Sequence, residues 1–359
     1  MRINFQFLNF KQLYIHFCFL ALLNIFFSTE YIQAKTFSIN DIEISTPFEI
    51  DFNKNEIIDK GFTKAFDQLI LSIVQTKDKK KLGKTSLNTI KGMIETFSIQ
   101  EEKFIDEKYY LTLNVSFNKT SVFGLLESKN IFPSLPIKKN IFFIPVIYDE
   151  NRDEIQIYSN SKLFNNWNSD IKKHHLLNYI LPTEDLEDLD LIKTNKKKLE
   201  NYDFKEIIKK YNLDNYIIMI VFKNKDRIKV LNKINLNNKI TLKSFNLKSL
   251  NLNNNEAIKL FTENIKTIYE NEWKFINEIN TSVKLSLTVL VKNDYDKKIS
   301  EFEKTLKEIE FIYDFYIIKF NNKHNIYKIV INCSPDLFLK IMKKKNFIFN
   351  TQNQIWILE

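Results

Sequence analysis

The sequence predicts a mixed α/β protein, with an α/β sheet domain followed by a small domain of strands and helices. Three observations lead to this fold class. Along the first 250 residues, strand-like segments with alternating apolar and polar residues are interleaved with helical patterns. Two short apolar runs, at 141–148 and 216–222, are typical of strands buried on both faces. Residues 280–359 show the order strand, helix, strand, strand, helix, strand, which is that of a ferredoxin-like unit.

The elements of the first part follow one another regularly. The predicted strands, each with period-two alternation or a continuous apolar run, are 37–44, 109–117, 141–148, 216–222, 227–231 and 240–245. The predicted helices, each with apolar residues at helical spacing, are 59–75, 86–97, 121–128, 162–168 and 203–211. Pro145 interrupts the third strand. Because proline cannot donate a ladder hydrogen bond, we expect an edge position or a bulge there.

The second part begins after a stretch at 246–255 that is rich in Asn, Leu and Lys and has no lasting period, which predicts a linker. A long amphipathic helix is predicted at 256–279. The predicted elements of the closing unit are strands at 283–291, 311–320 and 325–331, helices at 296–309 and 335–344, and final segments at 347–350 and 355–358.

These elements predict a division of the chain into three parts. They are a signal segment (1–34), an α/β domain (35–250), and a part holding the linker, the long helix and the ferredoxin-like domain (251–359). We expect residues 280–359 to fold as a unit. In an alternative, the long helix belongs to this unit and covers its open sheet face through Trp273.

The amino terminus has the features of a secretory signal peptide. Arg2 and Lys11 supply positive charge, residues 13–27 form an apolar run, and Ala34 offers a small residue at the cleavage position. Export would place the mature chain in the periplasm. An anchor that is not cleaved is the alternative. We expect contact with a membrane only through this segment.

The net charge of +9 comes from 53 basic and 44 acidic residues. The basic residues are almost all lysine, and they occur in scattered runs such as 79–81, 196–198 and 343–345. Arginine, which pairs bidentately with phosphate, is rare. We therefore expect a solvated charged surface and no nucleic-acid partner.

Several catalytic and cofactor-binding motifs are absent from the sequence. Its four glycines form neither GxGxxG nor a Walker loop, and it has no GxSxG and no HExxH. His174 and His175 are adjacent, so on a helix they could not chelate one ion, and we expect a surface or partly packed pair. Cleavage would remove Cys18, and Cys333 is predicted to be a small buried hydrophobe. We expect no cofactor and assign no catalytic, cofactor-binding or metal residue.

The one carboxylate cluster consists of Glu184, Asp185, Glu187, Asp188 and Asp190. It lacks the glycine and the spacing of a calcium loop. Thr183 is predicted to cap a short helix whose first turn carries Glu184 and Asp185, where acidic side chains suit the helix dipole. Leu186, Leu189 and Ile192 are then expected to pack inward. The alternative is that part of the cluster is an acid/base or metal site.

Spaced segments of the mature chain carry a resemblance to a known family. They are FTKAFDQLI (62–70), 108–131, NIFFIPVIY (140–148), the region of Trp167, LPTEDLEDL (181–189), 209–221 and the closing module 273–356. The chain resembles a family of exported proteobacterial proteins classed as a domain of unknown function. Its first part is similar to the α/β domains of TolB-amino-terminal and CsgG-like periplasmic proteins. The resemblance assigns no catalytic or binding residue and implies an accessory or assembly role in the cell envelope.

Together these observations predict a periplasmic, non-catalytic protein that binds other proteins of the cell envelope. Two alternatives stay open at this point. One is an envelope hydrolase that uses the cluster at 184–190. The other is a membrane-anchored envelope protein that keeps its apolar amino terminus.

Overall fold

A computed structural model describes residues 36–49, 52–225, 227–248, 250–252, 254–279, 284–293, 296–309 and 311–359. The predicted signal segment at 1–34 lies outside these residues, as does the start of the strand predicted at 283–291. Within the described part the chain forms three β-sheets and ten α-helices, which confirms the predicted mixed α/β class. None of the helices in this part combines the length and the apolar character that crossing a bilayer requires.

The first sheet and its helices occupy residues 36–128. In chain order the elements are β1 (Thr36–Pro47), α1 (Lys54–Ile73), α2 (Lys79–Leu82), α3 (Leu87–Met93), β2 (Ile94–Ile105), β3 (Lys108–Asn118) and α4 (Lys119–Ser128). The strands are antiparallel and lie in the order β1-β3-β2. Helix α1 covers one face, because Ala65, Leu69 and Ile73 are buried in the same core as Leu113 and Val115 of β3.

Strand β2 differs from the prediction, which extended a helix over 86–97. The helix ends at Met93, and the chain continues as a strand that pairs with β3 from end to end. A two-residue turn joins the strands, with Asp106 and Glu107 both in the left-handed conformation (φ 50° and 57°). Because almost every side chain of β2 is exposed, this strand lacks the alternation that identifies a half-buried strand.

The central sheet occupies residues 139–276 with its helices. In chain order the elements are β4 (Lys139–Asp149), β5 (Glu154–Gln156), α5 (Lys162–Asn166), β6 (Leu177–Ile180), α6 (Leu186–Thr194), α7 (Lys205–Lys210), β7 (Tyr216–Asn224), β8 (Arg227–Leu236), β9 (Lys239–Leu247) and α8 (Asn255–Ile276). The strand order is β5-β4-β7-β8-β9, and β6 pairs with the first residues of β4. β4 is parallel to β6 and β7, and the other pairs are antiparallel. The side chains of β4 and β7 are buried on both faces, as predicted.

Pro145 occupies a local gap in one edge of β4. The N–H of Phe142 donates to Asn215 O on the β7 side (3.0 Å). Because successive N–H groups of a strand point in opposite directions, the nitrogen of Pro145 points to the other edge. There, the pairing of β4 with β6 ends at Phe142, and its pairing with β5 starts only at Ile147. No described strand therefore needs a hydrogen bond from position 145, and the proline is tolerated in an interior strand.

The long helix α8 packs on the central sheet and not with the closing unit. Its buried apolar residues share one core with β4, β7 and β8, and they are Ile258, Phe261, Ile265, Tyr269 and Trp273. The alternative in which Trp273 covers the last sheet is therefore wrong. The predicted division places this helix in the same part, 251–359, as the closing unit. In the structure the helix shares a core with residues of 35–250. An apolar stripe shows that a helix is buried, but not which sheet it covers.

The closing unit has five strands and two helices. In chain order they are β10 (Leu285–Lys292), α9 (Asp296–Glu308), β11 (Ile312–Phe320), β12 (His324–Ile331), α10 (Pro335–Lys344), β13 (Phe349–Asn350) and β14 (Trp356–Leu358). The strand order is β11-β12-β10-β14-β13. Phe302 of α9 and Phe338 of α10 are buried in one core with Tyr327 and Ile329 of β12. The closing segments, predicted as a hairpin or a final strand, form a hairpin whose second strand is parallel to β10.

Helix α1 approaches the first sheet most closely at Gly61, which is buried. A Cβ atom at this position would overlap Leu113 Cδ1 and lie 2.8 Å from Ile44 Cδ1. Gly92 in α3 is a matched contrast, because a Cβ atom there would meet open space.

We therefore predict opposite effects for one substitution at two helical glycines. Gly61→Ala should lower the free energy of unfolding by about 1–2 kcal/mol, because the methyl group overpacks the helix–sheet contact. Gly92→Ala should raise it by about 0.5–1 kcal/mol through helix propensity alone. Chemical denaturation of both variants measures this. Equal stabilisation by the two substitutions would show that α1 does not contact β3 as described.

Candidate functional site

The predicted carboxylate cluster lies at the start of α6, where Asp185 is the N-cap. Its Oδ1 accepts hydrogen bonds from the backbone N–H groups of Glu187 (2.8 Å) and Asp188 (3.3 Å). The prediction that Thr183 caps this helix is therefore wrong. The N–H of Thr183 donates instead to the hydroxyl oxygen of Tyr211 (2.7 Å).

Most of the cluster faces solvent. Glu184, Glu187 and Asp190 are exposed. Leu186 is the first residue of the helix, and its side chain is 75% exposed. The prediction that Leu186 packs inward is therefore wrong. Ile192 is fully buried, as predicted. Glu184, Glu187 and Asp190 are therefore open to solvent and do not form an enclosed acidic site.

Two carboxylates of the cluster bind Lys210 closely, and a third, the exposed Glu187, has an oxygen 3.9 Å from its Nζ atom. Lys210 Nζ lies 2.8 Å from Asp185 Oδ2 and 2.7 Å from Asp188 Oδ1. The hydrogen bond from Lys210 holds the pKa of Asp185 below its usual value, so this carboxyl stays ionised. A general acid needs a raised pKa instead. The arrangement is that of an ion-paired helix cap, in which Asp188 is fully buried.

A second group of charged side chains lies inside the molecule, on α8. Lys266, Glu270 and Lys274 follow one another at intervals of four residues, so they lie on one side of the helix. All three are almost completely buried. We call them the buried stripe. Charged residues are rarely buried unless they have partners, so each partner matters.

Glu270 binds backbone donors at the start of β6. Its Oε1 accepts hydrogen bonds from the N–H groups of Leu176 and Leu177, both at 3.0 Å. Burial raises the pKa of Glu270, while these two hydrogen bonds oppose the rise. Glu270 therefore fixes the start of β6 against α8.

Lys274 binds the carboxyl end of α1. Its ammonium group donates to the carbonyl oxygens of Leu71 and Val74, the latter at 3.3 Å. These carbonyls belong to the last turn of α1, where helical partners are missing and positive charge is favourable. Burial lowers the pKa of Lys274 to about 8. This lysine joins the first sheet unit to α8.

Lys266 lies among aromatic rings. Its Nζ is 5.6 Å from the ring centroid of Trp167 and 5.9 Å from that of Tyr179. It donates one hydrogen bond, to Asp170 O at 3.2 Å. Burial lowers its pKa as well.

His174 and His175 lie in the turn before β6, beside the buried stripe. Their rings meet edge to face with centroids 4.9 Å apart, and both are half-buried. Burial lowers the pKa of each to about 4, and nearby lysines add to the effect. Both imidazoles are therefore neutral at pH 7. Such groups can accept or donate a hydrogen bond but carry no charge there.

The sequence does not distinguish the buried stripe from the polar flank of an exposed helix. Its charged residues directly follow the core positions Ile265, Tyr269 and Trp273. A side chain one position from a core residue lies about 100° around the helix, at the flank of the buried face. Lys259 follows the core residue Ile258 in the same way and is 63% exposed, so this spacing by itself does not indicate burial.

The free edge of the closing sheet exposes apolar side chains. Five large residues of β11 are between 43% and 80% exposed, and they are Tyr313, Tyr316, Ile317, Ile318 and Phe320. Within the described part of the chain, β11 pairs only with β12. The edge strand β2 also exposes phenylalanines, but it carries three glutamates, a lysine and two bulges. Charges and bulges protect an edge from unwanted pairing. Strand β11 also has two register shifts against β12, but it carries only one acidic and one basic residue, so charge protects its edge less than it protects that of β2.

Metal-binding and thiol chemistry are not built into the described residues. No three acidic, histidine or cysteine side chains among them come close enough to hold a metal ion. Cys333 is half-buried against the core of the closing unit, and burial raises the pKa of its thiol to about 11. The thiolate that reacts with electrophiles is therefore scarce at neutral pH.

Two comparisons with known proteins give no relatives. No protein-family model matches the chain, and no curated protein matches it in sequence.

We predict that Asp188 contributes to stability through Lys210. Asp188→Asn should lower the free energy of unfolding by about 1–3 kcal/mol, because it weakens a buried hydrogen bond between charged groups. Asp190→Asn, an exposed change in the same helix, is the matched control and should have no measurable effect. Urea denaturation at pH 7 compares them. If both variants match the wild type, Lys210 does not stabilise α6.

We predict a pH-dependent contribution from Lys274. Its pKa is lower in the folded chain than the usual 10.5, so between pH 8 and 10 the unfolded chain binds more protons. The stability of the wild type, relative to Lys274→Met, should therefore rise by about 2 kcal/mol across this window. Lys259→Met removes an exposed lysine from the same helix and should follow the wild type. Parallel curves for all three proteins would contradict the burial of a titrating Lys274.

Proposed function

We propose that the protein is an exported, non-catalytic accessory protein of the bacterial cell envelope that binds other envelope proteins. The signal-like segment at 1–34 and the resemblance to exported proteins support its export. The observation that supports binding is the exposed apolar edge strand β11. Large contiguous apolar surfaces on soluble proteins mark interaction sites.

We also propose that the closing unit is a variant of the ferredoxin-like fold, and that the preceding sheets are related to TolB-amino-terminal-like α/β domains. The order β10, α9, β11, β12, α10, β14 supports the first relation. In the ferredoxin-like fold, each helical crossover joins two strands that have one other strand between them, so all neighbouring strands are antiparallel. The parallel pair β10–β14 departs from this pattern. The parallel pairs of β4 with β6 and β7 support the second relation.

The occupant of the β11 edge is an extended, apolar segment of a second envelope protein. An added strand would satisfy the outer N–H and C=O groups of β11 and place alternate side chains on the two faces of the sheet. β11 carries one acidic and one basic residue, Asp314 and Lys319, so contact with it is governed by apolar area and not by charge. Phe320 lies at the end of the strand and is 80% exposed, the largest exposed fraction among the large apolar side chains of β11.

Crosslinking in intact envelopes tests this proposal. A photoreactive phenylalanine analogue at Ile318 should trap one discrete protein, and Phe320→Lys in the same chain should reduce the yield at least tenfold. The matched control is the analogue at Leu242, a 64% exposed residue on the free edge of β9, which should trap nothing. Leu242→Lys should leave the Ile318 product unchanged.

Three outcomes would contradict the proposal. Equal crosslinking from Ile318 and Leu242 would show unspecific contact. A product that contains only a second copy of the chain would replace the envelope partner by self-association. Recovery of the protein outside the envelope fractions would refute export.

A further inference from the structure

A small pocket lies between α5 and the first half of α8, on the side of the central sheet that α8 covers. Its volume is about 160 Å³, enough for roughly five water molecules or one small organic ion. The lining residues are Asn166, Trp167, Ser169, Asp170, Asn255, Lys259, Thr262, Glu263 and Lys266. The pocket belongs to neither the acidic cluster nor the β11 edge.

Two buried polar atoms of the pocket residues have no hydrogen-bond partner among the described residues. They are Trp167 Nε1 and Thr262 Oγ1. Trp167 is fully buried and Thr262 is 5% exposed. The indole nitrogen is a donor only, and a hydroxyl can donate. Buried donors are nearly always paired in folded proteins, so an acceptor is expected in the pocket.

Lys266 supplies a third donor to the same pocket. Its ammonium group has three protons, and its hydrogen bond to Asp170 O uses one. It forms no ion pair with a described carboxylate, although Asp170 and Glu263 line the pocket. Those two carboxylates are paired with other lysines. Lys172 lies 2.7 Å from Asp170 and 3.6 Å from Glu263, and Lys259 lies 3.4 Å from Asp170.

The missing acceptor is best supplied by a single negative charge. One buried ammonium group is matched by one carboxylate, which accepts several hydrogen bonds through its two oxygens. A phosphate dianion fits less well, because Asp170 and Glu263 would repel it and no arginine lines the pocket.

We propose that this pocket binds the carboxylate group of a small molecule, with its oxygens accepting hydrogen bonds from Trp167 Nε1, Thr262 Oγ1 and Lys266 Nζ. The ligand class is a small monocarboxylate. The proposal does not depend on the β11 docking edge, and either can fail without the other.

Titration with sodium acetate, followed on the indole N–H signals of the full chain labelled with ¹⁵N-tryptophan, tests the proposal. The Trp167 signal should shift downfield and saturate. Trp273 is an internal control, because its Nε1 already donates to Ile137 O at 2.7 Å, and its signal should not move. Acetamide has nearly the same shape without the charge and should bind at least tenfold more weakly. Sodium chloride at equal ionic strength should give no shift.

Variants assign the contacts. Lys266→Met and Thr262→Val should each weaken acetate binding at least tenfold. Thr267→Val is the matched control, because Thr267 Oγ1 donates to Glu263 O on the exposed side of α8, and this variant should bind acetate normally. If Lys266→Met does not fold, Thr262→Val alone carries the test.

Three results would overturn the proposal. The first is no saturable shift of Trp167 with acetate, which would leave only water in the pocket. The second is equal binding of acetamide. The third is equal loss in Thr262→Val and Thr267→Val.

Discussion

The contact between α8 and the rest of the molecule is the interaction on which the arrangement of the first two sheets depends. The apolar side of the helix completes the core of the central sheet. Its carboxyl-terminal half also binds the first unit and the segment that follows it: Lys274 donates to the end of α1, and Trp273 Nε1 donates to Ile137 O, between α4 and β4, at 2.7 Å. Asn271 Oδ1 accepts a hydrogen bond from the N–H of Thr76 at 2.9 Å. One helix therefore supplies an apolar surface to one unit and polar contacts to the other.

The buried stripe shows how charged groups can be kept inside a protein. Taking a charge out of water costs several kcal/mol, and pairing it with an opposite charge often only compensates for that loss. The charges of Glu270 and Lys274 attract each other, and each side chain also binds backbone groups, at the start of β6 and at the end of α1 respectively. Each contact satisfies two groups that would otherwise be buried without a partner. Since those backbone groups occur at only one place, the contacts also fix the position of α8.

The sequence predicted what depends on periodicity and missed what depends on tertiary contacts. The apolar runs identified β4 and β7, and the helical spacing of apolar residues identified α8. Burial on one or two faces leaves such a repeat in the sequence. Strand β2 was missed because an exposed edge leaves no such repeat. The cap of α6 was placed at Thr183 because threonine and aspartate are both good N-caps, and only the geometry selects Asp185. The partner sheet of α8 could not be derived from α8 itself.

The two charged groups of the central part show why charge density in a sequence is a poor guide to a site. The run at 184–190 contains five carboxylates, yet three of them face water and two are held by Lys210 at a helix cap. The buried stripe is spread over nine positions and looks like the polar flank of an ordinary helix, yet all of it is buried. What distinguishes the two is their surroundings: the acidic run lies at the solvent-exposed start of α6, whereas the stripe residues are enclosed between α8 and the elements that pack against it. Polar groups held in that way are pre-organised, because their neighbours cannot move without opening the core. The pocket lies at Lys266, the member of the stripe that faces aromatic rings and forms no ion pair with a carboxylate in the described part of the chain.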